Sequence, residues 1–104
     1  MSTLSDIWTV SALKQYAREC GSHFFDADTM RFFRSRVAPR VYHMATGIVF
    51  ITSEQFDANS PRLYTVRIMR EGANFDDIDG FQAHSSLRQA RAAAKRYLTE
   101  AIPA

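Results

Sequence analysis

Between Arg62 and Arg70 the sequence alternates without a break: Leu63, Thr65, Arg67 and Met69 occupy one set of positions, Tyr64, Val66, Ile68 and Arg70 the other. Successive side chains of a strand point to opposite faces, so a period of two predicts a β-strand and excludes a helix, whose apolar residues would recur every three or four positions. The Tyr64, Val66 and Ile68 face is expected to look inward. A strand cannot stand alone, and the chain supplies partners on either side. Ile48 to Ser53, dense in β-branched and aromatic residues, predicts the main strand, with Val41 to Met44 as its lead-in or as a short partner across an Ala45-Thr46-Gly47 turn. After the turn residues Glu71-Gly72-Ala73-Asn74, the segment Asp77 to His84 is expected to return as a shorter strand carrying Ile78 and Phe81. Asp57 to Pro61 is a loop by composition.

The flanks follow the other period. Thr9 is a good N-cap, Val10, Leu13, Ala17 and Cys20 recur at helical spacing, and Gly21 offers a stop, which predicts a helix from Val10 to Cys20. Asp26 caps a second predicted helix from Ala27 to about Arg36, with Met30, Phe33 and Val37 in phase and Phe32 widening the apolar face. Ala38-Pro39 is expected to end it, because the residue before proline is pushed out of the helical region. Ser86 and Gln89 form a capping box for a last helix, Leu87 to about Glu100, whose buried stripe is Leu87, Ala90, Ala94 and Leu98, widened by Ala93 and Tyr97. The expectation is an α+β domain of order α-α-β-β-β-α, a three-stranded antiparallel sheet packed against helices. It spans 1–104 as one domain, with 1–8 a loose N-terminal arm that docks through Trp8.

Composition narrows the function classes. With 46% hydrophobic and 23% charged residues in 104, the chain can fill one core, and disorder is disfavoured. Cys20 stands alone, so an intramolecular disulfide is excluded; the polar first ten residues lack the apolar stretch of a secretory signal, and apolar runs such as Gly47 to Ile51 are too short for a membrane span. A cytoplasmic protein without membrane contact is expected.

Catalytic patterns are absent from the sequence. Cys20 and His23 have a ligand spacing, yet a structural zinc site needs about four ligands and His43 and His84 are isolated. Cys20 closes the apolar stripe of the first helix and is expected to be a buried packing group rather than a nucleophile. Asp26 and Asp28 suit a helix start, Asp76, Asp77 and Asp79 a polar hairpin, and the four glycines are singly placed rather than grouped in a phosphate loop. No enzyme, cofactor or metal is expected.

Charge is more informative. The net charge is only +2, but 11 of the 13 basic residues are arginine and they are grouped: four arginines without an acid between Arg31 and Arg40, four bases without an acid between Arg88 and Arg96. Between Glu71 and Asp79 stand four acids and no base. Arginine grips phosphate or carboxylate with two parallel bonds. Arg88, Arg91 and Lys95 fall within about one sixth of a helix circumference, opposite the apolar stripe. Arg31, Arg34, Arg88, Arg91 and Lys95 are therefore the candidate binding residues, for nucleic acid or for an acidic protein such as a host defence complex. The acidic hairpin could face a basic partner instead, and exposed aromatics such as Tyr42, Phe56 or Phe75 could pair two copies, so monomer and homodimer both stay open.

Two resemblances add to this. The segment Leu13 to Arg36, centred on Gly21-Ser22-His23-Phe24-Phe25-Asp26-Ala27-Asp28-Thr29-Met30-Arg31-Phe32-Phe33-Arg34-Ser35-Arg36, with Ile51-Thr52-Ser53-Glu54-Gln55-Phe56, Tyr64-Thr65-Val66-Arg67 and the Ala-rich last helix, resembles a family of small uncharacterised proteins of phages, plasmids and other bacterial mobile elements. That likeness implies an accessory protein that binds nucleic acid or a host protein, and no activity. The C-terminal half, with Tyr64-Thr65-Val66 entering a strand, an acidic hairpin and Ser86-Leu87-Arg88-Gln89-Ala90-Arg91-Ala92-Ala93-Ala94-Lys95 opening a helix, is similar to the end of a double-stranded-RNA-binding domain. This second likeness implies that Arg88, Arg91 and Lys95 straddle phosphates across the RNA major groove. Leu87 stands where that family usually has a further base, and the Asp57 to Pro61 loop lacks its minor-groove residues.

Overall fold

Thr9 opens the first helix as its side chain suggests: Oγ1 accepts the Ala12 N–H at 3.1 Å, and α1 runs Val10–Glu19. It closes at Gly21, whose left-handed φ of +82° lets Ser22 and Gly21 donate back to the Ala17 and Arg18 carbonyls at 2.9 Å. Cys20 lies beyond the helix and is exposed, which corrects the expectation of a buried thiol. The computed structural model describes residues 3–32 and 34–100. Phe33, the side chain of Phe32, and Met1 and Ser2 of the expected arm lie outside what is described. Leu4–Asp6 form a single 3-10 turn, and Ile7 beyond it is fully buried. Trp8, the expected docking point, is 71% exposed and stacks on His43 at 3.8 Å between ring centres.

The second helix, α2, is Ala27–Phe32 and stops well before Arg36. Arg34 takes a left-handed φ of 51°, Ser35 donates to the Met30 carbonyl at 2.7 Å, and Arg36 already belongs to a strand. The i, i+3, i+7 spacing of Met30, Phe33 and Val37 suggested a longer helix, but Val37 and Val41 belong to the extended chain that follows.

Four strands follow: β1 Arg36–Met44, β2 Gly47–Gln55, β3 Arg62–Arg70 and β4 Asn74–Asp77, antiparallel in the order β1-β2-β3-β4. The expected count of three is therefore low by β1: its second half, Val41 to Met44, is the short partner across the Ala45-Thr46-Gly47 turn that the sequence offered as an alternative to a lead-in, and its first half takes the place of the expected helix end. Its Pro39 lies where the register with β2 shifts, between Val37 opposite Thr52 and Val41 opposite Phe50. An edge strand tolerates proline at such a bulge because no ladder bond is lost there. The expected strand Asp77 to His84 is displaced: β4 ends at Asp77, left-handed Gly80 and Gln82 interrupt the chain, and His84 returns as a single bridge beside Tyr64, a fifth extended contact with backbone bonds of 2.8 and 3.1 Å. Helix α3, Leu87–Glu100, opens at the predicted cap: Ser86 Oγ accepts the Gln89 N–H at 3.1 Å, while the Gln89 side chain reaches back to Ser85 at 2.8 and 3.0 Å.

The alternation of β2 and β3 serves two cores. Ile48, Phe50 and Met69 pack with Ile7, Leu13, Tyr16, Ala17 and Phe25 on one face. Val49, Ile51, Val66 and Ile68 pack with Ala90, Ala93 and Ala94 of α3 on the other. The inward face of β3 is thus the predicted one, but its opposite face is covered too, which is why β2 reads as a near-continuous apolar run. Gly47 permits the closest approach: a Cβ there would stand 2.5 Å from the Met69 carbonyl oxygen. Among the described residues no helix is long and apolar enough to cross a membrane.

Candidate nucleic-acid interface

The end of α2, the start of β1, the end of β2 and the start of β3 meet at one end of the sheet. The register puts Arg36 opposite Ser53 and Arg62 opposite Gln55, and the left-handed turn at Arg34 brings its carbonyl within 2.9 Å of Arg62 Nη1. Between these elements lies a cleft of about 420 Å³ lined by Arg31, Arg34, Arg36 and Arg62 with Met30 and Gln55. Arg62 is held in place by neutral acceptors: Nη1 also donates to Ser53 Oγ at 2.9 Å, and Nη2 approaches Gln55 Oε1 at 3.4 Å. Among the described residues none of the four arginines forms an ion pair. Partial burial and then the neighbouring charge of Arg36 pull the Arg62 guanidinium below its ordinary value, Tyr64 and Glu54 oppose them, and Arg34 adds the smallest downward effect. It stays charged at neutral pH, and an incoming anion would relieve the repulsion.

A left-handed conformation at a residue other than glycine is strained, and Arg34 is held in it by the helix-closing bond to Met30 and by the Arg62 contact. Asp57, in the loop after β2, feels the same positive field from Arg34. Its carboxylate lies below the ordinary 3.8 chiefly because it accepts the Asn59 N–H at 2.8 Å and the Ser60 hydroxyl at 2.9 Å.

The five sequence candidates divide. Arg31 and Arg34 line the cleft. Arg88, Arg91 and Lys95 lie on α3, whose Ala90, Ala93 and Ala94 cover the sheet face opposite to the one that Met30 of α2 packs against. The two groups therefore do not form one continuous helical surface. Arg88 and Lys95 are exposed, whereas Arg91 is half-buried with its Nε unpartnered. A groove of about 210 Å³ runs from Arg36 and Arg62 to Leu87, the first residue of α3. Arg36 stands in the arginine run between Arg31 and Arg40 but is not among the five candidates, and Arg62 escapes a count of charges along the chain because strand register alone brings it to this place.

Two of the four hairpin acids are paired with arginines of β3, and a third contacts a histidine. Asp76 meets Arg70 at 2.7 Å, Asp77 meets Arg67 at 2.8 Å, and Asp79 meets His84 at 3.0 Å. Arg67 also reaches Glu54 at 3.0 Å and Thr52 Oγ1 at 2.8 Å, with its guanidinium over the rings of Phe24 and Phe81 at 5.2 and 5.7 Å. No group of three or more His, Cys, Asp or Glu side chains that could hold a metal ion occurs among the described residues.

Comparison with known proteins gives one finding. A model described as a family of unknown function (DUF7447) matches residues 9–95, so the chain belongs to that family. No curated protein and no solved structure matches.

Proposed function

We propose that this family member is a non-enzymatic nucleic-acid-binding module that grips successive phosphates with Arg31, Arg34, Arg36 and Arg62. One observation supports the reading above the others: four guanidinium groups line one cleft and, among the described residues, none has a carboxylate partner. Such an uncompensated cluster repels itself, and phosphate oxygens are the ligands that guanidinium forks match in charge and shape. The groove past Arg36 and Arg62 gives a strand a path toward the start of α3. The same proposal includes a role as a cytoplasmic accessory protein of a mobile element, which rests on the sequence resemblance alone.

Fluorescence anisotropy with a labelled single-stranded oligonucleotide, titrated from about 50 to 200 mM salt, tests it. About four phosphate contacts predict a log–log slope near −3, and replacing Arg31 and Arg36 together by glutamine should about halve it. If the Arg88/Arg91/Lys95 triple alanine variant loses binding while the cleft variant keeps it, the interface lies on α3, as the double-stranded-RNA likeness implies. Absence of any salt-dependent binding would overturn the reading and turn attention to an acidic protein partner.

A further inference from the structure

Beside the arginine cleft lies a smaller cavity of about 120 Å³, and Met30 and Ser35 line both. Its walls include the rings of Phe24 and Phe81, and Glu54 and Arg67 supply its charge. Glu54 is only 1% exposed. Its Oε1 is fully engaged, accepting the Thr52 hydroxyl at 2.9 Å and Arg67 Nη2 at 3.0 Å, while Oε2 is buried without a partner. A buried carboxylate oxygen left without a donor is unfavourable, so this site is built to accept an N–H or O–H from elsewhere.

Size and chemistry narrow the donor. A cavity of about 150 Å³ holds benzene, so this one is scaled to a single six-membered ring and is small for a purine. Arg67 already supplies a cation to Oε1 from within the same site, and what Oε2 lacks is a hydrogen-bond donor, which the amino group of a neutral ring can provide. Aromatic walls favour a flat, neutral ring. Arg67 uses one N–H each of Nε, Nη1 and Nη2 on Thr52, Asp77 and Glu54, which leaves a second hydrogen on each Nη for a ring acceptor. Phe81 is 48% exposed, on the loop between left-handed Gly80 and Gln82, and forms part of the cavity wall.

We propose that this cavity takes a cytosine base of the strand whose phosphates lie in the arginine cleft, the exocyclic amino group donating to Glu54 Oε2 and Arg67 facing the ring acceptors; the inference rests on the phosphate reading. Cytosine presents an amino donor where thymine and uracil present a carbonyl oxygen, which would set acceptor against acceptor at Glu54.

The test compares oligo-dC with oligo-dT of equal length, at one salt concentration, by anisotropy. The expected result is about tenfold tighter binding of oligo-dC. Glu54→Gln, with its amide oxygen kept on Thr52 and Arg67, presents an amino group where Oε2 stood, and should shift the preference toward oligo-dT. A merely structural role for Glu54 predicts weaker binding of both without a change of preference. The comparison on the unaltered chain needs no variant: equal affinity for the two oligomers overturns the cytosine pocket and leaves the phosphate reading standing. Binding of neither oligomer overturns both.

Discussion

Arg62 and Arg67 stand on the same strand, yet their surroundings are opposite in kind. Arg67 is enclosed, 13% exposed in its side chain, with Glu54 and Asp77 as ion-pair partners and phenyl rings nearby. Arg62 is held by a hydroxyl and main-chain oxygens without an ion pair among the described residues, with Arg36, Arg34 and the more distant Glu54 as the charges that act on it. The difference separates arginine that completes a fold from arginine available to a ligand. What decides it is whether a carboxylate lies within reach; residue type and local sequence do not.

The contrast is broken most directly at Arg67. Arg67→Met strands the buried Glu54 charge and should cost about 3 to 5 kcal/mol in urea-induced unfolding, whereas adding Glu54→Leu should recover most of that loss, because a buried ion pair can be replaced by apolar groups at little net cost. Arg62→Met should cost only about 1 kcal/mol by the same measurement, through lost neutral hydrogen bonds, while weakening oligonucleotide binding clearly. If Arg62→Met proves as destabilising as Arg67→Met, the division between the two regions fails. Replacing exposed Arg88 or Lys95 singly by alanine should change stability by less still, within about 0.5 kcal/mol. Smallest is the pH effect of Asp57. Its folded value lies below 3.8, so its contribution is present above that pH and lost as the pH falls through the folded value. Melting temperatures of the unaltered chain and of Asp57→Asn should therefore differ slightly at neutral pH and converge in acid.

Much of this architecture was legible in the residues themselves. The α1 cap at Thr9, its stop at Gly21, the strict alternation of β3 and the span of α3 follow from local rules that nothing distant overrides. The second half of β1, Val41 to Met44, was legible as one of two alternatives; the first half was not, because Met30, Phe33 and Val37 imitate a helical period and Pro39 resembles a helix stop until the bulge is seen. Half of the cleft was legible for the same local reason. Arg31, Arg34 and Arg36 are sequence neighbours, although Arg36 is not among the five candidates, whereas Arg62 joins them only through pairing across β2. The Glu54–Arg67 site was hidden altogether, since two charged residues inside alternating strands carry no mark of being buried together.

The irregularity of β1 around Pro39 reaches beyond the cleft. An outermost strand of a sheet invites further strands from other molecules to add to it, and a long flat rim is a route to fibrils. Here the missing amide of Pro39 and the shifted register interrupt that rim midway, so edgewise growth of the sheet by strand addition is blocked on this side.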